Sequence, residues 1–155
     1  MELDIDDIDR KVITALRRGD RPTITDIARM TGLARGTVQT RLTRLIERQV
    51  ITGWGPELSA SAIGRPVTSF TTLSIAQGAL DRVIAGLEGL PEVLEVHVTT
   101  GRGDLLCRIV ARSNDHLHDL IQTIVALDGV VRTDSQLALA EPVHRTLADL
   151  VATQR

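Results

Sequence analysis

Hydrophobic residues recur at helical spacing through the first 50 residues. A first helix is predicted over residues 5–16, capped by Asp6 and closed by Gly19-Asp20, from the stripe Ile8, Val12, Ile13 and Leu16. A second helix is predicted to begin at Thr23, where Asp26 completes a capping box, and to end at Gly32. A third carries the apolar stripe Val38, Leu42, Leu45 and Ile46. Two short helices hinged at a glycine predict a helix-turn-helix.

The pattern changes after residue 50. Residues 50–55 (VITGWG) predict a short strand and a turn, which would be the wing of a winged helix-turn-helix. Residues 55–66 (GPELSASAIGRP) are rich in Gly, Pro, Ser and Ala and predict a linker. We therefore expect a DNA-binding domain over residues 1–54, followed by that linker.

Alternating and helical patterns then interleave. Strands are predicted over residues 67–75, over the alternating Leu94, Val96 and Val98, over residues 104–111 and over residues 131–139. Helices are predicted over residues 79–88 and from about Asn114, and a last helix from Glu141-Pro142. The order βαββαβ predicts a ferredoxin-like domain over residues 67–140 and a C-terminal helix over 141–155, and hence an α+β fold.

The two helices of this domain cover only one face of its sheet. On one register the other face carries Phe70, Glu95, His97, Arg108, Arg132 and Gln136. A four-stranded sheet must hide its second face or leave it to solvent, so dimerisation through this face is expected.

Composition excludes several classes of protein. A hydrophobic content of 43% excludes a disordered chain, and no apolar run is long enough for a membrane helix. The acidic start MELDIDDIDRK is not expected to be a signal peptide. A single cysteine, Cys107, is predicted to be a core residue and fits a reducing cytoplasm.

Charge is distributed unevenly along the chain. The net charge is only −2, but residues 21–49 hold six arginines against Asp26 and Glu47, a local excess of four positive charges. Aromatic residues make up 1% of the chain, too few for the stacking platforms that bind single strands. Double-stranded DNA is therefore the predicted partner.

The third helix carries the predicted DNA contacts. Arg35, Thr37 and Gln39 are expected to contact base edges, and Thr40, Arg41 and Arg44 to contact phosphates. Thr23 and Gly36 complete the predicted DNA-binding set. A solvated helix face is the alternative for these residues, and an intramolecular ion pair is the alternative for Arg41.

The chain resembles the Lrp/AsnC family of feast/famine regulators over nearly its full length. The matching segments are IDDIDRKVITAL at 5–16, RPTITDIA, GLARGTVQTRLTRL, VITGW, and TGRGDLL at 100–106. The resemblance implies a homodimer, often assembled into tetramers or octamers. It also implies an amino acid or related small-molecule effector, bound near the Gly-x-x-Asp loop.

The candidate effector residues follow from that loop. They are Thr100, Gly101, Arg102, Gly103 and Asp104, with Thr133 and Ser135 on the last strand. Asp104 is suited to an ammonium group, and Arg102 and the glycine amides are suited to a carboxylate. A plain β-hairpin is the alternative for the loop, and packing at the core edge is the alternative for Thr133 and Ser135.

Three positions depart from the family pattern. Ala34 replaces the usual serine that opens the recognition helix, and Gln49 replaces a glycine, so Gln49 must adopt a left-handed conformation or change the helix end. Gly103 replaces a common aromatic, from which we expect a more flexible loop and a more open pocket.

No residue constellation indicates an enzyme, a cofactor or a metal site. His116 and His118 are two residues apart on a helix and point to different sides. The favoured hypothesis is a cytoplasmic, effector-responsive transcriptional regulator. An effector-independent architectural DNA-binding protein is the alternative, and an enzyme subunit with a docking domain is a third hypothesis.

Overall fold

The structure is a computed structural model that describes residues 5–18, 21–55 and 57–153. The described helices are α1 (Asp7–Arg17), α2 (Ile24–Thr31), α3 (Arg35–Glu47), α4 (Leu80–Glu88), α5 (Asn114–Val125) and α6 (Leu147–Thr153). The strands are β1 (Val67–Ile75), β2 (Val93–Val98), β3 (Leu105–Ala111) and β4 (Val130–Leu137). The chain divides into unit 1, Met1–Pro56 with Pro142–Arg155, and unit 2, Glu57–Glu141.

Unit 1 contains the predicted helix-turn-helix. Both predicted caps are confirmed: Asp6 and Asp9 form a capping box at α1, and Thr23 and Asp26 form one at α2. Gly19 and Asp20, predicted to close the first helix, lie outside the described residues. The buried core of the unit comprises Val12, Ile13, Ala15, Ile27, Val38, Leu42 and Leu45.

Unit 2 has the predicted ferredoxin-like topology. Its antiparallel sheet has the order β2-β3-β1-β4. Core residues from the sheet and from α4 and α5 include Leu73, Val83, Leu87, Ile109, Leu120 and Ile124. Cys107 is fully buried in this core, as predicted.

Two predictions in and after α3 are wrong. Residues 50–55 form no strand. The amides of Val50 and Ile51 instead donate to the carbonyl of Leu45, at 2.9 and 3.1 Å, and so close the end of α3. Ile46 lies outside the core with 44% of its surface exposed. Residues 59–65 of the predicted linker contain turns, in which the amide of Arg65 donates to the carbonyl of Ala60 at 2.7 Å, and these turns are compatible with a linker.

Two further predictions fail at edges of the fold. The alternation of Leu94, Val96 and Val98 predicted a half-buried strand, but Leu94 and Val98 are exposed, because β2 is an edge strand with a register shift between Val93 and Glu95. The last helix begins at Leu147 instead of Glu141-Pro142, because Thr146 and Asp149 cap it there. No helix in the described part of the chain is long and apolar enough to cross a bilayer.

Candidate DNA-binding face and effector loop

The recognition helix α3 presents a polar face to solvent. Val38, Leu42 and Leu45 turn inward and are buried. The exposed positions of its first two turns are Arg35, Gly36, Gln39 and Thr40. The hydroxyl of Thr40 donates to the carbonyl of Gly36 at 2.9 Å. Thr37 is half-buried, so it is less accessible to a partner than Arg35 and Gln39.

Sequence reasoning missed one residue of this face. Thr43 is exposed and lies one turn after Gln39, which in turn lies one turn after Arg35, so the three form a stripe along α3. The i, i+4 spacing of Thr43 from Gln39 was the sequence signal that could have placed Thr43 on this face. Glu47 is also exposed near the end of the helix and disfavours phosphate there. The charge distribution along α3 therefore favours contact between DNA and the N-terminal half of the helix.

The start of α3 lacks a side-chain cap. Ala34 occupies the cap position and makes no side-chain hydrogen bond, as its replacement of serine predicted. At the start of α2, by contrast, the hydroxyl of Thr23 donates to Asp26 Oδ2 at 2.6 Å and accepts from the Asp26 amide at 3.2 Å. The Thr23 hydroxyl bond is the main reason why the pKa of Asp26 is lowered. The Thr23 hydroxyl is thus already engaged within the cap.

Arg41 lies on the flank of α3 that faces α1. Its Nη1 is paired with a carboxylate oxygen of Asp6 and lies 3.2 Å from Asp9 Oδ1. The pKa of Asp6 is lowered, chiefly by the hydrogen bond from the Asp9 amide and further by Arg41. The pKa of Arg41 is raised, chiefly by its hydrogen bond to Asp6. The ion pair that the sequence left open is therefore formed. Arg44 is half-buried on the same helix.

The Gly-x-x-Asp segment is the hairpin between β2 and β3. Within the hairpin, the Thr99 amide donates to the Asp104 carbonyl at 2.9 Å, and the Thr99 hydroxyl donates to the Gly103 carbonyl at 3.1 Å. Two further bonds tie it to β1: the Asp104 amide donates to the Leu73 carbonyl, and the Ile75 amide donates to Asp104 Oδ2, each at 2.8 Å. Asp104 is thus anchored by its backbone and by one carboxylate oxygen.

Gly103 packs closely against β1. A Cβ atom at this position would lie 2.2 Å from Thr72 Cγ2 and 3.1 Å from the Leu73 carbonyl oxygen. We expected Gly103 to loosen the loop, but these contacts hold its backbone against β1. Thr100 adjoins the hairpin, and Gly101 and Arg102 are exposed within it.

Thr133 and Ser135 lie on β4, across β1 from the hairpin. Thr133 pairs with Leu73, which also pairs with Leu105 at the hairpin end of β3. Thr133 is therefore two strand spacings, or about 10 Å, from Leu105. Ser135 is two residue pairs further along, opposite Thr71, with its hydroxyl 3.0 Å from that of Thr71. The structure places Thr133 level with the hairpin and Ser135 beyond it.

Comparison with known proteins identifies both units. Residues 5–52 match the family model for a winged helix-turn-helix DNA-binding domain, and residues 68–148 match the Lrp/AsnC ligand binding domain. The regulatory protein AsnC of Escherichia coli strain K12 is 32% identical over 146 residues, which cover 92% of this chain and 95% of AsnC. The chain belongs to the Lrp/AsnC family.

Other members of the Lrp/AsnC family are similar over the same span. The transcriptional regulator FL11 of Pyrococcus furiosus is 29% identical over 146 residues, which cover 94% of this chain and 95% of FL11. A feast or famine regulatory protein from M. tuberculosis, solved in complex with L-methionine, superposes with a TM-score of 0.81 at 28% identity, covering 90% of this chain and 95% of that one. This Lrp/AsnC chain is accordingly a DNA-binding transcriptional regulator with a ligand-binding domain.

The open sheet face of this Lrp/AsnC chain has the predicted composition. Phe70 lies between Arg108 and Gln136 in the register of the sheet. Arg108 donates to Glu95 Oε1 through Nε at 2.9 Å and through Nη2 at 2.5 Å. The pKa of Glu95 is lowered chiefly by Arg108. Glu95 and Arg108 thus neutralise each other on this face.

Neither histidine nor cysteine chemistry is apparent in the described part of this Lrp/AsnC chain. No group of three or more potential metal ligands occurs among the described residues. His116 Nδ1 accepts from the Arg112 amide at 3.1 Å, and burial raises the pKa of Cys107 to about 11. At neutral pH the Cys107 thiol is protonated and shielded, which makes it a poor nucleophile.

Proposed function

We propose that the protein binds specific DNA sequences through α3 and changes its DNA affinity when an amino acid or a related small molecule binds to unit 2. The observation that carries this proposal is the presence in one chain of an exposed polar recognition helix and a Gly-x-x-Asp hairpin within a ligand-binding domain. Its curated relatives are named transcriptional regulators, which favours a regulator over an enzyme. We place it in the cytoplasm, where its DNA partner and a reduced Cys107 are both accommodated.

The proposed DNA contacts follow from exposure along α3. Arg35 and Gln39 are suited to guanine and adenine edges in the major groove, respectively. The exposed Gly36 and Thr40 flank them and permit close approach to the DNA backbone. Arg44, in the last turn of α3, adds positive charge to the same helix.

The proposed effector site centres on the hairpin. Arg102 is exposed there and is suited to a carboxylate, together with the amides of neighbouring glycines. Asp104 uses Oδ2 for the Ile75 amide, so Oδ1 is the oxygen we assign to an ammonium group. These complementary charges, and the L-methionine bound by the M. tuberculosis relative, support an amino acid as the ligand.

We also propose that the open sheet face joins two copies of the chain. Phe70 at its centre is 42% exposed, and the adjacent Glu95–Arg108 pair is neutralised within the chain. Burying this face against a second copy removes apolar surface from water without leaving that pair uncompensated.

Isothermal titration calorimetry tests the effector site directly. L-methionine is titrated first, followed by the other common amino acids, into the full chain and into Arg102→Ala. We expect one or a few amino acids to bind, and Arg102→Ala to weaken that binding about tenfold or more, because a charge-assisted bond is lost. Arg82→Ala is the matched control, since Arg82 is exposed in the same unit and pairs with Asp128.

Two outcomes would contradict this site. If no amino acid binds, the ligand class is wrong. If one binds equally well to the full chain and to Arg102→Ala, the site lies elsewhere.

A further inference from the structure

We infer that Arg41 is a positioning residue, which holds the recognition helix against α1 and makes no contact with DNA. The sequence predicted a phosphate contact for this arginine, with an intramolecular ion pair as the alternative. The inference concerns how the DNA-binding domain of this chain is oriented and is independent of any effector.

The geometry turns Arg41 away from the DNA-binding stripe. Its side chain is 21% exposed, whereas that of Arg29 on α2 is 79% exposed. It reaches the N-terminus of α1 and bridges two carboxylates, those of Asp6 and Asp9. Both carboxylates are already oriented, because Asp6 Oδ1 accepts from the Asp9 amide at 2.9 Å and Asp9 Oδ2 accepts from the Asp6 amide at 3.4 Å.

Burial of Asp9 makes this pairing difficult to exchange. Asp9 is 1% exposed, and a buried carboxylate without a cation carries a large desolvation penalty. If Arg41 swung out to a phosphate, Asp9 would remain buried without that partner. A contact between Arg41 and a phosphate at the protein surface would be screened by water and counterions, so it would stabilise less than the loss of the Asp9 pairing would cost.

The ion pair also gives the contact between α1 and α3 a directional component that the apolar contacts lack. Val38, Leu42 and Leu45 pack non-directionally against the core, so they tolerate small rotations of α3. Arg41 adds directional bonds to a fixed point on α1. A rotation of α3 would displace the stripe of Arg35, Gln39 and Thr43 from the base edges, so Arg41 controls sequence discrimination indirectly.

Substitution of Asp6 separates the two roles by the sign of the effect. Asp6→Asn keeps the α1 cap, because asparagine caps as well as aspartate, but it removes one negative partner of Arg41. If Arg41 positions α3, Asp6→Asn lowers affinity for a preferred duplex about threefold or more, because misplaced base contacts are weakened. Affinity for random duplex is then unchanged, because it does not depend on those base contacts. If Arg41 contacts phosphate, the same change frees it and tightens binding to both duplexes.

The experiment is fluorescence anisotropy with the full chain over a salt series. The preferred duplex is selected from a random pool by the wild-type protein, and a scrambled duplex of equal composition is compared with it. Asp7→Asn is the matched charge control, because Asp7 is an exposed carboxylate next to Asp6 and pairs only with Arg10 among the described residues.

Variants on α3 give a second readout. We expect Arg41→Gln to lower affinity for the preferred duplex about tenfold with an unchanged salt slope, and Arg41→Lys to restore part of that loss. An arginine that neutralises a phosphate would instead lose about 0.9 of the slope on the same substitution. Should Arg41→Gln not fold, Asp6→Asn alone decides.

The positioning role is wrong if Asp6→Asn behaves as Asp7→Asn does, or if it tightens binding to both duplexes. It is also wrong if Arg41→Gln reduces the salt slope by about 0.9, the change expected for one lost phosphate contact.

Discussion

At the scale of single residues, Gln49 shows the cost of a departure from the family pattern. It has a φ of 54°, in the left-handed region that suits glycine, directly after Arg48 caps α3. The left-handed conformation lets the chain turn so that the amides of Val50 and Ile51 reach the Leu45 carbonyl. Gln49 is therefore strained in a conformation that the end of the helix requires.

Replacing this residue should stabilise unit 1. We expect Gln49→Gly to raise the free energy of unfolding by about 0.5–1 kcal/mol, because relief of the strain exceeds the added entropy of the unfolded chain. Gln49→Ala, which keeps the strain, is the control. Denaturant unfolding followed by circular dichroism measures the difference, and equal stability of the two variants would show that Gln49 is not strained.

Comparison with the family pattern predicted some residues and not others. It singled out Gln49 and Ala34, because each replaces a cap residue whose chemistry depends on adjacent residues alone. The partner of Arg41 lies on another helix, at a distance that helical spacing does not give. The packing of Gly103 against Thr72 depends on how the hairpin contacts β1, and the sequence of the hairpin alone does not determine that contact.

At the scale of elements, α6 is part of the DNA-binding domain although it follows the ligand-binding domain in sequence. Ala148 and Val151 pack against the core that α1, α2 and α3 share. Asp149 pairs with Arg17 of α1 and also accepts from the Thr146 amide at 2.7 Å. A helix of seven residues is too short to be stable alone, so its docking on α1 is what stabilises it.

A charge on the inner face of α6 should undock it. We expect Val151→Asp to destabilise unit 1 by about 1–3 kcal/mol, because the carboxylate would enter an apolar contact without a partner. Leu150→Asp is the matched control, since Leu150 lies on the outer face and is 54% exposed. Hydrogen exchange of the α1 amides reports the effect, and equal protection in both variants would show that α6 contributes nothing.

Most elements could be predicted because their periodicity is clean. β1 spans 67–75 as expected, and α4 ends at Gly89 as expected. The wing failed because a strand needs a partner, and a short run such as Val50-Ile51 does not reveal that its amides are used by α3. The last helix began six residues later than Glu141 because the Thr146–Asp149 box is a stronger start than Pro142.

At the scale of the whole molecule, two chain segments connect the units. One is the segment at residues 55–66, and the other runs from β4, which carries Thr133 and Ser135, to α6. The βαββαβ order and the family could be predicted from sequence, since both depend on the succession of elements. The return of α6 to unit 1 could not, because its amphipathic pattern does not specify which apolar surface it covers.

The most direct test of the account is whether a small molecule changes DNA affinity. Fluorescence anisotropy with duplex from the upstream region of the protein's own gene, at fixed salt, is measured with and without each common amino acid, L-methionine included. We predict binding stronger than to random duplex, and a shift of about fivefold or more with one or a few amino acids, the size typical of coupling between two sites. If the DNA is bound tightly and no amino acid changes the affinity, the regulatory claim is contradicted and an architectural protein is favoured. If the DNA is bound no better than random duplex, specific DNA recognition is contradicted.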